Sequence, residues 1–403
     1  MSDSTQQPSC YNKPHSNMDR ELFDTIVIGA GPVGSYAAQK LASYGYKVAV
    51  LEEHDRIGEP MQCTGIIGVE CFERFHLSTS AVIREANSAK FFSPSVKIIH
   101  LQSEKPQAYI VDRSALDRQL ADAAAAQGAK FFTSCRANSI AIVADRVIVI
   151  TDAGDTFEGR TSVIASGFYS KLAQRLGIEK FRDFITGAQA EVTIKDGSAL
   201  EEIEIYLDQD LAPGFFAWLV PTTPQRALLG LFSREKPRKH LQGFIQLLCD
   251  KGRIASTEAE IKHGAIPLKP LSKTYCKRVI VAGDAAGQVK PTTGGGVYYG
   301  MICAQLAADT LKDALTKNDY SERSMSGYQK TWQKEIGREL RNGYIARRVY
   351  EKSSNHLIDN LFDLSLKKGL HEIINESTDI SFDWHSKAFF EIIKQAVPRL
   401  FKP

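Results

Sequence analysis

The chain has 403 residues, 43% hydrophobic and 24% charged, as expected for an ordinary globular protein of two or three domains. Its net charge of +3 is too small to indicate a nucleic-acid partner, so we expect none. No run approaches the roughly 18 apolar residues of a membrane span, and the N-terminus lacks the apolar core of a signal peptide. We therefore expect a cytoplasmic protein. The seven cysteines are scattered without C-x-x-C pairs, which argues against a disulfide framework or a metal site.

The N-terminal segment, residues 1–21, is polar and contains two prolines. Such a composition cannot bury enough apolar surface to fold, which predicts a disordered tail.

A strand, a glycine turn and the start of a helix are predicted next. The β-branched run Thr25–Ile28 is typical of a buried parallel strand, and Gly29, Gly31 and Gly34 then form G-x-G-x-x-G. In this motif the first glycine makes the turn, the second lets the backbone approach a pyrophosphate, and the third lets the helix pack on the strand. The helix N-terminus adds unpaired N–H groups for the phosphates.

An acidic residue follows at the spacing that a dinucleotide-binding unit requires. A second predicted strand, Lys47–Leu51, ends in Glu52, which lies 23 residues after Gly29. This is close to the roughly 20 residues expected for the acid that binds a ribose hydroxyl. We include the adjacent Glu53 among the expected nucleotide-binding residues.

The segment from Arg56 to Gly65 is too rich in glycine and proline for a regular element and is predicted to be a loop. A long loop beside a nucleotide-binding motif is more often functional than structural filler. Cys63 lies in its middle, either as a small buried hydrophobe or as a functional group.

The centre of the chain alternates between a helix and many short strands. The segment Tyr109-Ile-Val-Asp-Arg-Ser114 is predicted to be a short strand that runs into a helix, with Ser114 as the expected N-cap. Turn residues and alternating strands then indicate an antiparallel sheet, and hence a second domain inserted into the first. The strands of this sheet are predicted at 187–194, 203–207, 215–220 and 226–232.

A second glycine-rich unit follows another buried strand, predicted at 278–282. Gly283 and Asp284 come at its carboxyl end, where ligands of parallel sheets bind. Gly294, Gly295 and Gly296 then open a long helix and allow close backbone approach to an anion or a carbonyl. A helix junction that merely needs glycine is the alternative.

The C-terminal stretch from Trp384 to Val397 has apolar residues in the i, i+3, i+4, i+7 pattern of one helical face. This helix could lie on a membrane surface or pack on the protein's own core.

These blocks resemble a known family. The first glycine motif with Glu52, the pair Asp112-Arg113, and Gly283-Asp284 are similar to flavoproteins of the p-hydroxybenzoate hydroxylase-like fold. Two longer blocks narrow the resemblance to the geranylgeranyl reductase family, over roughly residues 22–348. They are Glu59-Pro-Met-Gln-Cys-Thr-Gly65 and Gly283-Asp-Ala-Ala-Gly-Gln-Val-Lys-Pro-Thr-Thr-Gly-Gly-Gly296.

The resemblance implies an α/β protein with a Rossmann-type FAD-binding domain, an inserted antiparallel β-sheet substrate domain and a C-terminal helical region. We predict the FAD-binding domain at 22–80, 108–183 and 276–318. The substrate domain is predicted at 81–107 and 184–275, and the helical region at 319–403.

The family also implies roles for single residues toward FAD. Glu52 would bind the adenosine ribose, Arg113 would approach the pyrophosphate, and Asp284 would hold the ribitol hydroxyls. The backbone at 294–296 would face the flavin ring. Cys63 would lie near its reactive face, with Gly65 in the same loop.

The substrate side of the resemblance rests on Phe216-Ala-Trp-Leu-Val-Pro221, where relatives have Tyr-x-Trp-x-Phe-Pro. Trp218 and Pro221 match, whereas Phe216 lacks the phenol. We predict that Phe216, Trp218 and Pro221 bind substrate and that Trp218 is also catalytic with Cys63. Ordinary sheet packing is the alternative for Trp218.

The implied activity is saturation of C=C bonds in a long isoprenoid lipid or prenyl diphosphate, with hydride from reduced FAD. The electron donor is NAD(P)H or ferredoxin, and a peripheral membrane contact is an additional expectation. An FAD-dependent aromatic monooxygenase shares the fold and the nucleotide motifs, and an electron-transfer flavoprotein-type quinone oxidoreductase is a further alternative.

Overall fold

The computed structural model describes residues 11–12, 21–61, 63–197, 200–376 and 382–384. Helices and strands alternate along this part of the chain. The helices are α1 Pro32–Ser43, α2 Val69–Phe75, α3 Arg113–Ala126, α4 Leu172–Arg175, α5 Pro237–Asp250, α6 Val297–Lys317, α7 Glu322–Glu335, α8 Gly337–Glu351, α9 Asn355–Lys368 and α10 Leu370–Glu376.

The strands form three sheets. They are β1 Tyr11–Asn12, β2 Leu22–Ile28, β3 Val48–Leu51, β4 Ile66–Gly68, β5 Val82–Ala86, β6 Ser88–Phe92, β7 Ile98–Gln102, β8 Ala108–Val111, β9 Lys130–Phe132, β10 Ala137–Val143, β11 Arg146–Thr151, β12 Thr156–Ile164, β13 Phe184–Thr193, β14 Ile203–Tyr206, β15 Ala217–Thr223, β16 Arg226–Ser233, β17 Lys262–Pro267, β18 Tyr275–Cys276 and β19 Val279–Val281.

The largest sheet has a parallel centre. Its order is β1-β9-β3-β2-β12-β11-β10, and β19 joins β12 while β18 pairs with β19. In the parallel register Ile28 lies opposite both Leu51 and Ile164, and Ile164 lies opposite Val281. The carboxyl ends of β2, β3, β12 and β19 therefore meet at one edge, where ligands of such sheets bind.

Buried apolar side chains cover both faces of this sheet. On one face α1 packs against α3 and α6, in a core that includes Val27, Leu41, Leu120 and Met301. The other face carries a second core around Phe132. β3 and β19 are buried at every position, and their sequences, Val-Ala-Val-Leu and Val-Ile-Val, are apolar throughout, as expected of strands that are covered on both faces.

The second sheet has the order β17-β13-β16-β15-β14-β6-β7, and it is antiparallel except for the β14–β6 pair. A third, three-stranded sheet, β4-β8-β5, lies between the two along the chain. The predicted α/β architecture with an additional antiparallel sheet is confirmed. The exact division into domains stays a prediction, although segments 81–107 and 184–275 do contain every strand of the second sheet.

Two local predictions are corrected. Ser114 does not cap α3: the Asp112 carboxylate accepts the Ala115 N–H at 2.9 Å, whereas the Ser114 hydroxyl donates to the Gly58 carbonyl at 2.7 Å. Part of the expected disordered tail is a strand, since β1 pairs with β9. Most of the remaining tail, and the predicted helix from Trp384 to Val397 beyond its first residue, lie outside the described residues.

None of the helices in the described part of the chain is long and apolar enough to cross a membrane.

Candidate functional site

A cavity of about 1410 Å³ opens at the carboxyl edge of the parallel strands and is lined by residues from all three sheets. Single small-molecule sites usually measure roughly 300–1,000 Å³. The cavity is therefore large enough for two molecules, such as a cofactor and a substrate.

The start of α1 forms one end of the cavity. Gly29 has a φ of +100°, and a Cβ there would lie 2.6 Å from the Ala165 carbonyl oxygen. A Cβ at Gly34 would lie 1.9 Å from the Gly29 oxygen, so helix and strand touch at this point. A Cβ at Gly31 would meet nothing within 4 Å. Gly31 is the N-cap and gives the helix no side-chain cap, so the first N–H groups of α1 are available to an anion.

Glu52 lies where β3 ends and is held by its neighbours. Its Oε2 accepts the Ala30 N–H at 2.8 Å, and its Oε1 accepts the His54 N–H at 3.1 Å and lies 2.7 Å from His54 Nδ1. Glu53 is more exposed, with Oε2 3.4 Å from Arg136 Nε. Both carboxylates line the cavity. His54, which fixes the Glu52 carboxylate from two residues away, is a site residue that the glycine motif does not predict.

Arg113, the first residue of α3, also faces the cavity and is fixed by Asp117. Its Nη2 lies 3.0 Å and 3.2 Å from the two Asp117 oxygens. Burial raises the pKa of Asp117, and the facing guanidinium of Arg113 opposes that rise. The pair holds a positive group at the cavity wall in a defined orientation.

Asp284 follows β19 in a short 3₁₀ turn, Gly283–Ala286. Burial raises the pKa of its carboxyl. Within the described residues the carboxylate makes no hydrogen bond, although it lines the cavity. It is therefore available to accept hydrogen bonds from a ligand.

The glycine block before α6 lies against the same carboxylate. A Cβ at Gly296 would lie 2.5 Å from Asp284 Oδ1, and a Cβ at Gly295 would lie 2.9 Å from Lys290 Cε. Gly294 has a φ of +78° and lies against Phe232. All three glycines line the cavity, and α6 begins at the next residue without a side-chain cap. A second helix N-terminus thus faces the same space as that of α1.

A buried ion pair lies beside the glycine block. Lys290 Nζ is 2.5 Å from Asp383 Oδ1, and both side chains are almost fully buried. The Tyr299 hydroxyl donates to the Asp383 carbonyl at 2.9 Å, and the ammonium lies 4.7 Å from the centre of the Phe382 ring. This pair cannot be predicted from local sequence patterns because its partners are 93 positions apart.

The Cys63 loop forms another wall. Cys63 is exposed on the cavity surface rather than buried, and the Gly65 N–H lies 3.4 Å from its Sγ. The Thr64 hydroxyl donates to Gln189 Oε1 at 2.5 Å, which ties the loop to β13 of the second sheet. Gly65 has a φ of +82°, and a Cβ there would lie 2.4 Å from the Val111 oxygen. The loop therefore requires glycine at this position.

Aromatic side chains of the second sheet form the apolar end of the cavity. The Trp218 ring lies 5.9 Å from the Phe216 ring and 5.1 Å from the Phe232 ring, and all three line the cavity. Trp218 is 8% exposed, and its Nε1 has no hydrogen-bond partner among the described residues. A Cβ at Gly230 would lie 2.4 Å from the Trp218 ring.

Most of the predicted site residues meet in this one cavity; three do not line it. Gly34 and Gly283 pack the elements that form the wall, and Pro221 lies farther along β15. The residues that line it are Gly29, Gly31, Glu52, Glu53, Cys63, Gly65, Arg113, Phe216, Trp218, Asp284, Gly294, Gly295 and Gly296.

The residues present fit FAD. Open space at Gly31 before a helix N-terminus suits a pyrophosphate, and the available carboxylate of Asp284 suits hydroxyl groups. The N-terminus of α6 would stabilise negative charge on a ring placed beside the glycine block. Bound FAD would supply hydride transfer, and the protein supplies binding, orientation and the surrounding charges.

Comparisons with known proteins agree with this chemistry. A family model described as lycopene cyclase protein matches residues 24–364. A digeranylgeranylglycerophospholipid reductase from Methanocaldococcus jannaschii is 31% identical, with 89% of this chain and 97% of the relative covered. A reductase of the same name from Methanococcoides burtonii is 28% identical, with 86% and 88% covered.

Among solved structures, a geranylgeranyl bacteriochlorophyll reductase-like protein from Thermoplasma acidophilum superposes with a TM-score of 0.79 at 25% identity, covering 94% of this chain and 99% of that one. A p-nitrophenol 4-monooxygenase from Pseudomonas putida has a TM-score of 0.71 at 16% identity, covering 92% and 98%, and shares the fold alone. The chain therefore belongs to the flavoprotein family that the lycopene cyclase model describes and, within it, to the geranylgeranyl reductases, which are FAD-dependent oxidoreductases.

Proposed function

We propose that this protein saturates the C=C bonds of geranylgeranyl chains carried by a glycerophospholipid. One observation carries the proposal: a single cavity joins the FAD-type residues to the aromatic wall around Trp218 and exceeds the volume of one ligand. The names of the relatives from Methanocaldococcus jannaschii and Methanococcoides burtonii support the substrate class.

The apolar end of the cavity suits a long hydrocarbon chain. Each CH₂ group buried there gains about 0.8 kcal/mol, so a twenty-carbon chain is held with few polar contacts. Phe216 lacks the phenol of its relatives, and this way of binding tolerates the loss. We therefore expect the length of the chain to affect turnover more than the headgroup does.

An isolated alkene accepts hydride at one carbon only if a proton reaches the other. The cavity wall must therefore exclude water while it holds the double bond beside the flavin. Cys63, with its exposed thiol on the wall, is the side chain that we propose as the proton donor. We propose that the reducing equivalents come from NAD(P)H or ferredoxin, and the assay below compares the two.

The assay incubates the FAD-loaded enzyme anaerobically with a digeranylgeranyl glycerophospholipid and either donor. Mass spectrometry should show a gain of two hydrogens for each bond reduced. The monooxygenase would replace this proposal if two results are found together. No lipid is reduced with either donor or with chemically reduced enzyme, and an aromatic acid triggers oxygen uptake. A protein that only passes electrons to a quinone would reduce the quinone and leave the alkenes unchanged.

The Trp218→Ala variant should lose at least about tenfold in lipid turnover, because a hydrophobic contact in a pocket is worth roughly 10- to 200-fold in discrimination. Its FAD content should match that of the wild type. Trp218→Phe is the matched variant: it keeps an aromatic wall, removes the unpaired Nε1–H, and should retain most of the activity. If Trp218→Ala loses its flavin as well, Trp218 is a packing residue and the substrate does not lie beside it.

A further inference from the structure

Large apolar side chains are exposed along the outer faces of two consecutive helices. On α8 these are Ile345 and Val349, and on α9 they are Leu357, Leu361 and Leu364. Ile345 and Val349 are four positions apart, and the three leucines follow the i, i+4, i+7 spacing of a single face, from which the exposed Leu366 of α9 is excluded. Val349 is 64% exposed and Leu361 54%. A helix face with this spacing normally packs on the protein core, whereas these side chains are exposed to solvent.

The tip of the β6–β7 hairpin is a further exposed apolar element beside α9. It carries the exposed side chains of Val96 and Ile98. Lys97 Nζ lies 2.8 Å from Asp363 Oδ2, and Asp359 accepts hydrogen bonds from two serine hydroxyls of the hairpin, so the tip is tied to α9. We call these two residues and the five on α8 and α9 the outer apolar face. It holds seven of the fifteen large apolar side chains that are exposed in the described part of the chain.

The elements that carry the outer apolar face also wall the cavity. On α8, Arg347 and Tyr350 line the cavity while Val349 points outward. On the hairpin, Phe91 and Leu101 line the cavity below the exposed tip. Two separate elements therefore connect an exposed apolar surface to the proposed substrate space.

The charge around this surface is positive. Residues 337–368 contain seven Lys and Arg against four Asp and Glu. Two of the four acids form ion pairs, Glu351 with three arginines that include Arg347 and Arg348, and Asp363 with Lys97 of the hairpin. Arg341 and Lys352 are exposed. Apolar side chains surrounded by exposed basic residues are the combination that binds an anionic bilayer surface.

We propose that the outer apolar face docks the protein on an anionic lipid bilayer and brings the cavity to the membrane surface. The proposal rests on the proposed function for its purpose, since a glycerophospholipid substrate resides in a bilayer. Docking itself requires no turnover. A second copy of the chain or the residues after Trp384 could also cover this face, and the experiment below distinguishes these occupants.

The test is flotation of the full-length, FAD-loaded protein with unilamellar vesicles of equal parts phosphatidylcholine and phosphatidylglycerol. Wild-type protein should float, less at high salt and less with phosphatidylcholine alone. The double variant Val349→Glu/Leu361→Glu should partition into the vesicles at least about tenfold more weakly. The reason is that two charges replace apolar side chains that would be buried in the bilayer on docking. The matched control Val143→Glu/Ile150→Glu changes two exposed apolar residues elsewhere and should float like the wild type.

Several results would overturn the proposal. The first is wild-type protein that does not float, and the second is equal flotation of the two double variants. The third is loss of flotation when residues 385–403 are deleted, which would assign the membrane contact to that segment. A wild-type dimer that Val349→Glu/Leu361→Glu converts to monomer in the absence of vesicles would assign the face to a second copy. Because no substrate is turned over, each of these results leaves the reductase proposal standing, and reduction of detergent-dispersed lipid tests that proposal separately.

Discussion

Replacement of Gly31 by valine is expected to give a folded protein that no longer binds FAD. Gly31 has a φ of −68° and a ψ of −178°, an extended conformation that any residue adopts, and its Cβ would meet no protein atom within 4 Å. Valine at this N-cap should cost the fold about 1 kcal/mol. The branched side chain would occupy the open space before α1, where the pyrophosphate must approach. We expect FAD affinity to fall at least about a hundredfold, or roughly 2.7 kcal/mol.

The measurements are flavin absorbance per protein after reconstitution, and thermal unfolding of the flavin-free forms. Two matched valine substitutions serve as controls, one that should leave both fold and FAD binding intact and one that should destroy the fold. Gly243→Val, on the exposed side of α5 with no atom within 4 Å of its Cβ, should retain FAD. Gly34→Val should lose the fold itself, because its Cβ would lie 1.9 Å from the Gly29 oxygen. A yellow Gly31→Val protein with wild-type flavin content would show that the pyrophosphate lies elsewhere.

The difference between these glycines shows which parts of the site a sequence can predict. Gly29, Gly31, Gly34 and Glu52 belong to one local unit, in which spacing determines geometry, and the structure brings three of them to the cavity wall. Gly34 packs the same unit together. Motifs of this kind predict positions well because strand, turn and helix follow each other directly along the chain.

Positions set by sheet geometry were predicted less well. Phe216 directly precedes β15 and Trp218 lies in it, and both side chains line the cavity. Pro221 is three positions beyond Trp218 and does not line it. The sequence motif contains all three residues. The two-residue period of side chains along a strand, however, separates Pro221 from Trp218.

Tertiary contacts decide the remaining details. Asp112 and Ser114 are both good N-cap residues, and the choice between them depends on the Gly58 carbonyl, which takes the serine hydroxyl. The Lys290–Asp383 pair is the extreme case. Lys290 lies within the second glycine-rich block, but nothing in that block indicates its partner, and only the folded chain brings the Asp383 carboxylate to it.

Replacement of Lys290 by methionine is expected to destabilise the protein by about 3–5 kcal/mol, because it leaves a buried carboxylate without its cation. Burial already raises the pKa of Asp383 while Lys290 opposes the rise, so loss of Lys290 should raise that pKa further. A carboxyl with a raised folded-state pKa stabilises the fold below its ordinary pKa of about 3.9 and loses that contribution as the pH rises through the folded-state value. The unfolding free energy of Lys290→Met should therefore fall from mildly acidic to neutral pH.

Chemical denaturation at both pH values measures these effects. The double variant Lys290→Met/Asp383→Asn should recover much of the loss, because no charge is left buried. Lys273→Met makes the same substitution in the exposed Lys273–Glu322 pair and should cost less than about 1 kcal/mol at either pH. Similar, pH-independent losses for Lys290→Met and Lys273→Met would mean that the buried pair is solvated in solution and does not hold the C-terminal segment against the glycine block. The FAD content of Lys290→Met/Asp383→Asn is a separate measurement. If this variant retains FAD, the buried pair contributes to stability, whereas the glycine block binds the flavin.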